Sequence, residues 1–419
     1  MLGEDSTSLR LAASSMLYRV KTRVLFVHSA TRPPLGADTW IHTLIMRHLD
    51  RSQHEVHVAC VPGPSAEPTP TFAAVSTIAD LHVHATNLGP ELFAKSTPAR
   101  LRAAIDTAPA IWNMAKLISY VRKHGIQIVH TSDRPRDALA STILAKVTGA
   151  KCIVHVHVTY GDWMSRMLRW SMGQADILVG VSDFVARSLI QGGYSPSKTL
   201  SVLNAIDLDR WQADVDGLQV RRELGIAPDA PVLICVARIF PTKGQDKLVR
   251  AIALLRPEFP ELKALIVGQD YPPGTRFSAE LRALAEKLGV ADSLIFTGLR
   301  KDVPRLFAAA DLLVMPSFEE PFGLVYAEAM AMRRPVVAFD DGGTSEVVDH
   351  GKSGLLSPAG DVGALAENIA TLLRSPQLRG EMGAFGRRQV ETRFNPERLA
   401  RDMARVYAQM LRPSESSSR

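Results

Sequence analysis

The chain has 419 residues, 46% hydrophobic and 22% charged, which is enough for two ordinary domains with sizeable cores. A formal charge of +6 is a modest excess, and no Lys/Arg block or aromatic-flanked basic motif accompanies it, so no nucleic-acid partner is expected. Three distant cysteines, Cys60, Cys152 and Cys235, each sit in an apolar strand-like run, which argues against a disulfide scaffold or a zinc site.

Residues 1–22 read as a tail. Their apolar run Leu9–Val20 is interrupted by Arg10 and Arg19 and is too short to span a bilayer. Neither a signal peptide nor a membrane-spanning helix is expected, and the location that follows is cytoplasmic, with peripheral contact to the inner membrane face as its one extension. Residues 23–205 read as a first α/β domain. Arg23–His28 is a strand, a Pro/Gly loop leads into a helix over Ala37–Leu49, and His54–Cys60, Gln127–Thr131, Cys152–Val158 and Ile177–Val181 are further strands. Near-continuous apolar strands separated by helical patterns imply parallel sheets covered on both faces. The stretches Asp162–Trp170 and Arg100–Lys123 mix apolar faces with Arg and Lys. They read most simply as amphipathic helices facing the core, with a membrane surface or an acceptor as the alternative.

A second α/β domain is placed at residues 206–395; the interdomain segment leads into a polar stretch with Asp214, Asp216 and Gly217, and the strand–helix pattern restarts after residue 215. Pro231–Ala237, Lys263–Gly268, Leu294–Gly298, Leu312–Pro316 and Pro335–Phe339 read as buried strands. A last helix, 396–413, would pack back on the first domain. Two doubly wound Rossmann-like domains result, and ligands belong at the carboxyl ends of their strands, in the groove between them.

Several motifs fall away. No G-x-G-x-x-G is present, so a dinucleotide cofactor has no support. Gly351-Lys352-Ser353 lacks the upstream P-loop glycine, since position 346 is Glu, and reads as a turn. His155 and His157 share a strand face, but no third ligand at metal spacing accompanies them, so no metal is expected.

The strongest signal is Pro316-Ser-Phe-Glu-Glu320-Pro321-Phe322-Gly323-Leu324 with Glu328 following. A helix starting near Pro321 would leave the amides of Phe322, Gly323 and Leu324 free at its positive end, an anion site. Glu320 before the helix and Glu328 two turns along it supply acceptors for hydroxyls at different points of one extended ligand. Carboxylates for sugar hydroxyls beside amides for phosphate describe a nucleotide-sugar pocket. The bland alternative is a solvated helix start. Arg238 and Lys243, five positions apart after a buried strand, place two cations where a diphosphate would lie.

Glu320-x7-Glu328 enclosing Phe-Gly-Leu, with Pro335-Val-Val-Ala and Gly342-Gly343-x-x-Glu346, resembles glycosyltransferase family 4, the retaining transferases of GT-B fold. The resemblance is dense over residues 231–360. It implies that Glu320 contacts the donor sugar, Glu328 the ribose hydroxyls, and Arg238 and Lys243 the diphosphate. It further implies base contacts from the backbone near Leu299 and Arg300, a phosphate-facing Gly36, and a sugar-facing His157, the last with a structural histidine as alternative. Asn204-Ala205-Ile-Asp207 is similar to the family's interdomain segment and reads as a hinge. The chain departs from the family at Leu35-Gly36-Ala37-Asp38, where Gly-Gly-x-Glu is usual, and at Arg333, where glycine is preferred.

The expected function is transfer from a nucleoside-diphosphate sugar to a hydroxyl of a glycan, lipid or small molecule. The resemblance implies retention of configuration without metal or other cofactor. No carboxylate near His157 stands out as a covalent nucleophile, so same-face substitution is the expected route. An epimerase or hydrolase of nucleotide sugars, and a protein that only binds them, are the alternatives.

Overall fold

The computed structural model describes residues 21–31, 35–64, 67–89 and 107–412. Most of the expected N-terminal tail, Pro33 and Pro34 of the first loop, Arg100 to Asp106 and the polar C-terminus from 413 lie outside the described residues. Seven strands, β1 (Thr22–His28), β2 (His54–Cys60), β3 (Leu81–Ala85), β4 (Ile128–Ser132), β5 (Lys151–Val156), β6 (Ile177–Gly180) and β7 (Thr199–Ser201), form the first sheet. Its order is β3-β2-β1-β4-β5-β6-β7, with every pairing parallel. Six more, β8 (Val232–Val236), β9 (Lys263–Val267), β10 (Leu294–Gly298), β11 (Leu312–Met315), β12 (Val336–Asp340) and β13 (Gly354–Pro358), form a second parallel sheet of order β10-β9-β8-β11-β12-β13.

Both sheets reverse their winding once, between β1 and β4 and between β8 and β11, and such a switch opens a crevice at the carboxyl ends of the strands. The strands β1, β4, β8 and β11 that flank these crevices are almost wholly buried, as helix-covered parallel strands must be. Helix Pro396–Leu411 buries Leu399, Met403, Val406 and Tyr407 in the apolar cluster that also holds Val24, Ile41 and Ile45 of the first domain. Arg398 donates to the carbonyls of Leu203 and Asn204, and Ile206 N–H to Phe394 O at 3.0 Å, so the returning helix and the interdomain segment are tied together.

Three strands have weak sequence signatures. β3 is a mostly exposed edge reading Leu-His-Val-His-Ala, β7 has three residues, and β13 opens on glycine. The basic run before β4 is a helix, Thr107–His124, that buries Leu117 and Val121 while Ile111 and Trp112 stay exposed. In the Trp163 to Trp170 stretch, Leu168 is buried and both tryptophans are half exposed.

Candidate functional site

After β8 the chain carries Arg238 and Lys243 around the carboxyl end of the second sheet. Gly244, at φ +66°, closes the loop against β11: a Cβ there would stand 1.9 Å from the Pro316 carbonyl oxygen, so only glycine fits. Gly268 brings the end of β9 equally close to the Ala237 carbonyl. This packing sets the Lys243 ammonium 2.7 Å from Glu320 Oε2, with the two side chains 18% and 11% exposed. Arg238 makes no ion pair among the described residues. Its guanidinium lies over the Tyr271 ring, 4.4 Å from the centroid, while its carbonyl accepts a bond from Gln245. A large, exposed cation thus stands on the same loop as a paired one.

The Glu320 loop is shaped from the far side by Gly342 and Gly343. A Cβ on Gly342 would meet the Glu320 backbone at 2.5 Å, and Gly343 N–H donates to Glu320 O at 2.7 Å. Glu319 takes the left-handed φ of +49° and donates its N–H to Asp341. The helix expected near Pro321 begins later, at Leu324, because Gly323 adopts φ +82° and breaks the helical path. The open helix-start amides are therefore those of Leu324 and Val325, since Tyr326 N–H already bonds the Gly323 carbonyl. Phe322 is a core side chain packed edge-on against Phe394. Glu328 stands one turn into the helix instead of two. Burial raises its pKa to about 7 against the opposing charge of Arg210, and no group among the described residues bonds its carboxylate.

Leu299 and Arg300 follow β10 at the edge of the sheet. Leu299 is exposed, and the Arg300 guanidinium is engaged by Asp302 and Glu223 at 2.8 and 2.7 Å, which leaves its backbone as the part open to a ligand. Arg333, where the sequence departs from glycine, takes φ +55°. A non-glycine residue at that φ carries backbone strain.

In the first domain, Gly36 caps helix Ala37–His48, and a Cβ there would collide with Asp38 and Arg134. Asp38 is held by a two-pronged bond from Arg134, at 2.6 and 2.9 Å, and by Ser132 Oγ. Burial opposes ionisation of Asp38, but the Arg134 bond and charge keep its carboxyl below the ordinary range. His157 lies just beyond β5. Its backbone N–H donates to Asp133 Oδ2 at 3.1 Å, and its ring Nε2 is buried without a partner among the described residues. Burial holds the His157 ring down to about 4, so it is neutral at pH 7. Asp133, by contrast, is pushed up to about 7 by burial and by the nearby Asp38 charge.

Two carboxyls, Asp133 and Asp38, stand beside His157, but the first is pushed up to about 7 and the second is locked to Arg134, so neither stands out as a nucleophile. One expectation does change. A third histidine also joins His155 and His157: His42, from helix Ala37–His48, brings a ring nitrogen so that one from each of the three lies within 4.8 Å of the others. Sequence spacing could not reveal it, because His42 comes from an earlier helix. Asp133 and Arg134 were within reach of the same strand-end reasoning that selected Arg238, since they directly follow β4. The glutamate of Gly342-Gly343-x-x-Glu346 has a role not foreseen: its carboxylate accepts the N–H groups of Asp183 and Phe184, each at 2.7 Å, at the start of a first-domain helix. Ser182 Oγ donates to Pro321 O at 2.5 Å beside it. The Glu320 loop is thereby bridged directly to the opposite domain.

Residues 34–210 match the family model described as Glycosyltransferase Family 4, and residues 218–389 match Glycosyl transferases group 1. The chain is 36% identical over 260 residues to the GDP-mannose-dependent alpha-(1-6)-phosphatidylinositol monomannoside mannosyltransferase of Mycolicibacterium smegmatis, covering 58% of this chain and 66% of that protein. It is 37% identical over 247 residues to D-inositol 3-phosphate glycosyltransferase 2 of Catenulispora acidiphila, covering 57% of each. The matches therefore span between just over half and just under two thirds of these relatives' lengths. Among solved structures, Anabaena Alr3699/HepE in complex with UDP and glucose superposes with a TM-score of 0.74 at 22% identity, over 92% of this chain and 99% of that one.

Proposed function

We propose that this chain, which belongs to glycosyltransferase family 4 and has the GT-B fold, moves a hexose from a nucleoside-diphosphate sugar to an acceptor hydroxyl. The observation that carries the reading is the Lys243–Glu320 pair at 2.7 Å, held at the crevice between β8 and β11 next to the start of helix Leu324–Ala331. A pyrophosphate replacing Glu320 as the partner of Lys243, with Arg238 swinging from Tyr271, would receive two cations and the open helix-start amides. The released Glu320 carboxylate is then free for sugar hydroxyls, and Glu328 for the ribose. As the bond to the anomeric carbon breaks, negative charge grows on the leaving phosphate, where fixed cations stabilise it most. The relatives named above use GDP-mannose or act on inositol phosphate, and the structural neighbour holds UDP and glucose; these names support the donor class.

Retention of configuration is part of the proposal. Asp133, pushed up to about 7 by burial, is a poor nucleophile, and Asp38 is held by Arg134. A same-face substitution, with the departing phosphate taking the acceptor proton, needs neither. The neutral His157 ring faces the sugar in this scheme, and closure of the Glu346 bridge excludes water. A screen of UDP-, GDP- and ADP-sugars by thermal shift tests the donor class, since a ligand of the folded state raises apparent stability. Mixing the best donor with candidate acceptors should yield a glycoside of unchanged anomeric configuration. Free sugar or an epimer formed without acceptor would replace this reading with a hydrolase or epimerase.

A further inference from the structure

Five histidines, His28, His42, His130, His155 and His157, crowd the carboxyl ends of β1, β4 and β5 beneath helix Ala37–His48, and the first four are buried. Their rings form a chain. His42 Nδ1 lies 2.8 Å from His28 Nε2, and His42 Nε2 lies 3.2 Å from His155 Nδ1. His157 packs beside both, with ring centroids 5.7 Å from His42 and 4.6 Å from His155. A ring nitrogen on each of His28, His130, His155 and His157 is buried and meets no partner among the described residues. Unpaired polar atoms at that depth are costly, on the order of 1–3 kcal/mol each, and the His157 ring, which carries one of them, packs against the His42–His155 contact.

We propose that His42, His155 and His157 bind one first-row transition-metal ion of the Zn2+ class, with His28 orienting His42 from behind. The geometry suits it. A tetrahedral ion with nitrogens at about 2.0–2.1 Å separates its ligand atoms by roughly 3.3 Å, and His42 Nε2 and His155 Nδ1 stand 3.2 Å apart. One nitrogen of His157 completes a set within 4.8 Å. Coordination through His42 Nε2 places the proton on Nδ1, which then donates to His28 Nε2. That is the outer hydrogen bond by which a metal-bound imidazole is normally fixed. His157 is the one partly exposed member of the three, and a water or ligand oxygen would complete the fourth position. An ion that engages His157 opposes its sugar-facing role; that consequence rests on the transfer reading, whereas the binding does not.

The test is made on tag-free full-length protein stripped with a chelator and titrated with Co2+, then Zn2+. One Co2+ per chain is expected, with the intense visible absorption of tetrahedral coordination, displaced by Zn2+. His42→Gln and His155→Gln should each lose binding by more than about 100-fold, and His28→Gln should weaken it about 10–100-fold. His82→Gln, which alters a separate group of Glu55, His57 and His82, should bind as wild type. X-ray absorption of the wild-type Zn2+ form should show three imidazoles, a readout independent of whether the variants fold. No stoichiometric binding, fewer than three imidazoles, or a loss that follows His82→Gln would overturn the proposal.

Discussion

Replacing Lys243 by alanine separates two consequences of one ion pair. The substitution leaves the Glu320 carboxylate, 11% exposed, without its partner at 2.7 Å. Removing one member of a fully buried pair costs about 3–5 kcal/mol. Residual solvent at both side chains lowers this to about 2–3 kcal/mol, which urea denaturation would read as a shifted midpoint. Lys243→Ala also deletes a cation from the departing diphosphate. Loss of one such fixed stabiliser typically lowers turnover by about 10²–10³, equivalent to roughly 2.7–4 kcal/mol. The double variant Lys243→Ala with Glu320→Gln removes the stranded charge, so stability should recover while turnover stays low. Turnover should be measured with saturating donor and acceptor, so that kcat is read apart from KM. A Lys243→Ala protein with turnover within a few-fold of wild type would refute the reasoning, as would a double variant that recovers both properties.

Further consequences follow from the geometry. Gly342→Ala forces a Cβ against the Glu320 backbone at φ +67° and should cost at least about 2 kcal/mol together with most donor affinity; Gly360→Ala, with φ +82° and open space, should cost only about 1 kcal/mol and leave activity intact. Arg333→Gly should stabilise by up to about 1 kcal/mol, because it relieves a left-handed φ of +55°; a destabilised variant would show that the guanidinium matters more than the strain. Glu328 rises from 4.5 and Asp133 from 3.8 to about 7 on folding, so the folded state keeps protons that the unfolded chain releases. Stability from these two groups is full below about pH 4 and is lost as pH rises to about 7, by at most roughly 3–4 kcal/mol each. Denaturation curves across that window should flatten for Glu328→Gln and for Asp133→Asn relative to wild type. Identical slopes would remove the assignment.

Much of this architecture was legible because buried parallel strands are continuous apolar runs. β1, β8 and β11 announce themselves as Val, Leu, Ile and Phe, and the residues just after them are the site. The edge strand β3 was not legible, since a half-exposed Leu-His-Val-His-Ala lacks that density. The helix start at Leu324 was misplaced because Pro321 suits a first turn equally well, and only the positive φ of Gly323 moves the boundary. In the site, Glu320 and Lys243 could be selected from strand-end position and residue type, and their pairing is the geometry such a selection requires. His42 and Glu346 act through contacts between elements far apart in the chain, for which local spacing carries no trace, whereas Asp133, directly after β4, was open to the same strand-end reasoning.

The most direct measurement is a crystal structure with an intact nucleoside-diphosphate sugar, taken at short soaking time. The account predicts that the pyrophosphate lies between Arg238 and Lys243, the sugar hydroxyls on Glu320 and the ribose on Glu328, with the Lys243–Glu320 separation increased beyond its present 2.7 Å. A nucleotide sugar bound elsewhere, with that ion pair undisturbed, would contradict it.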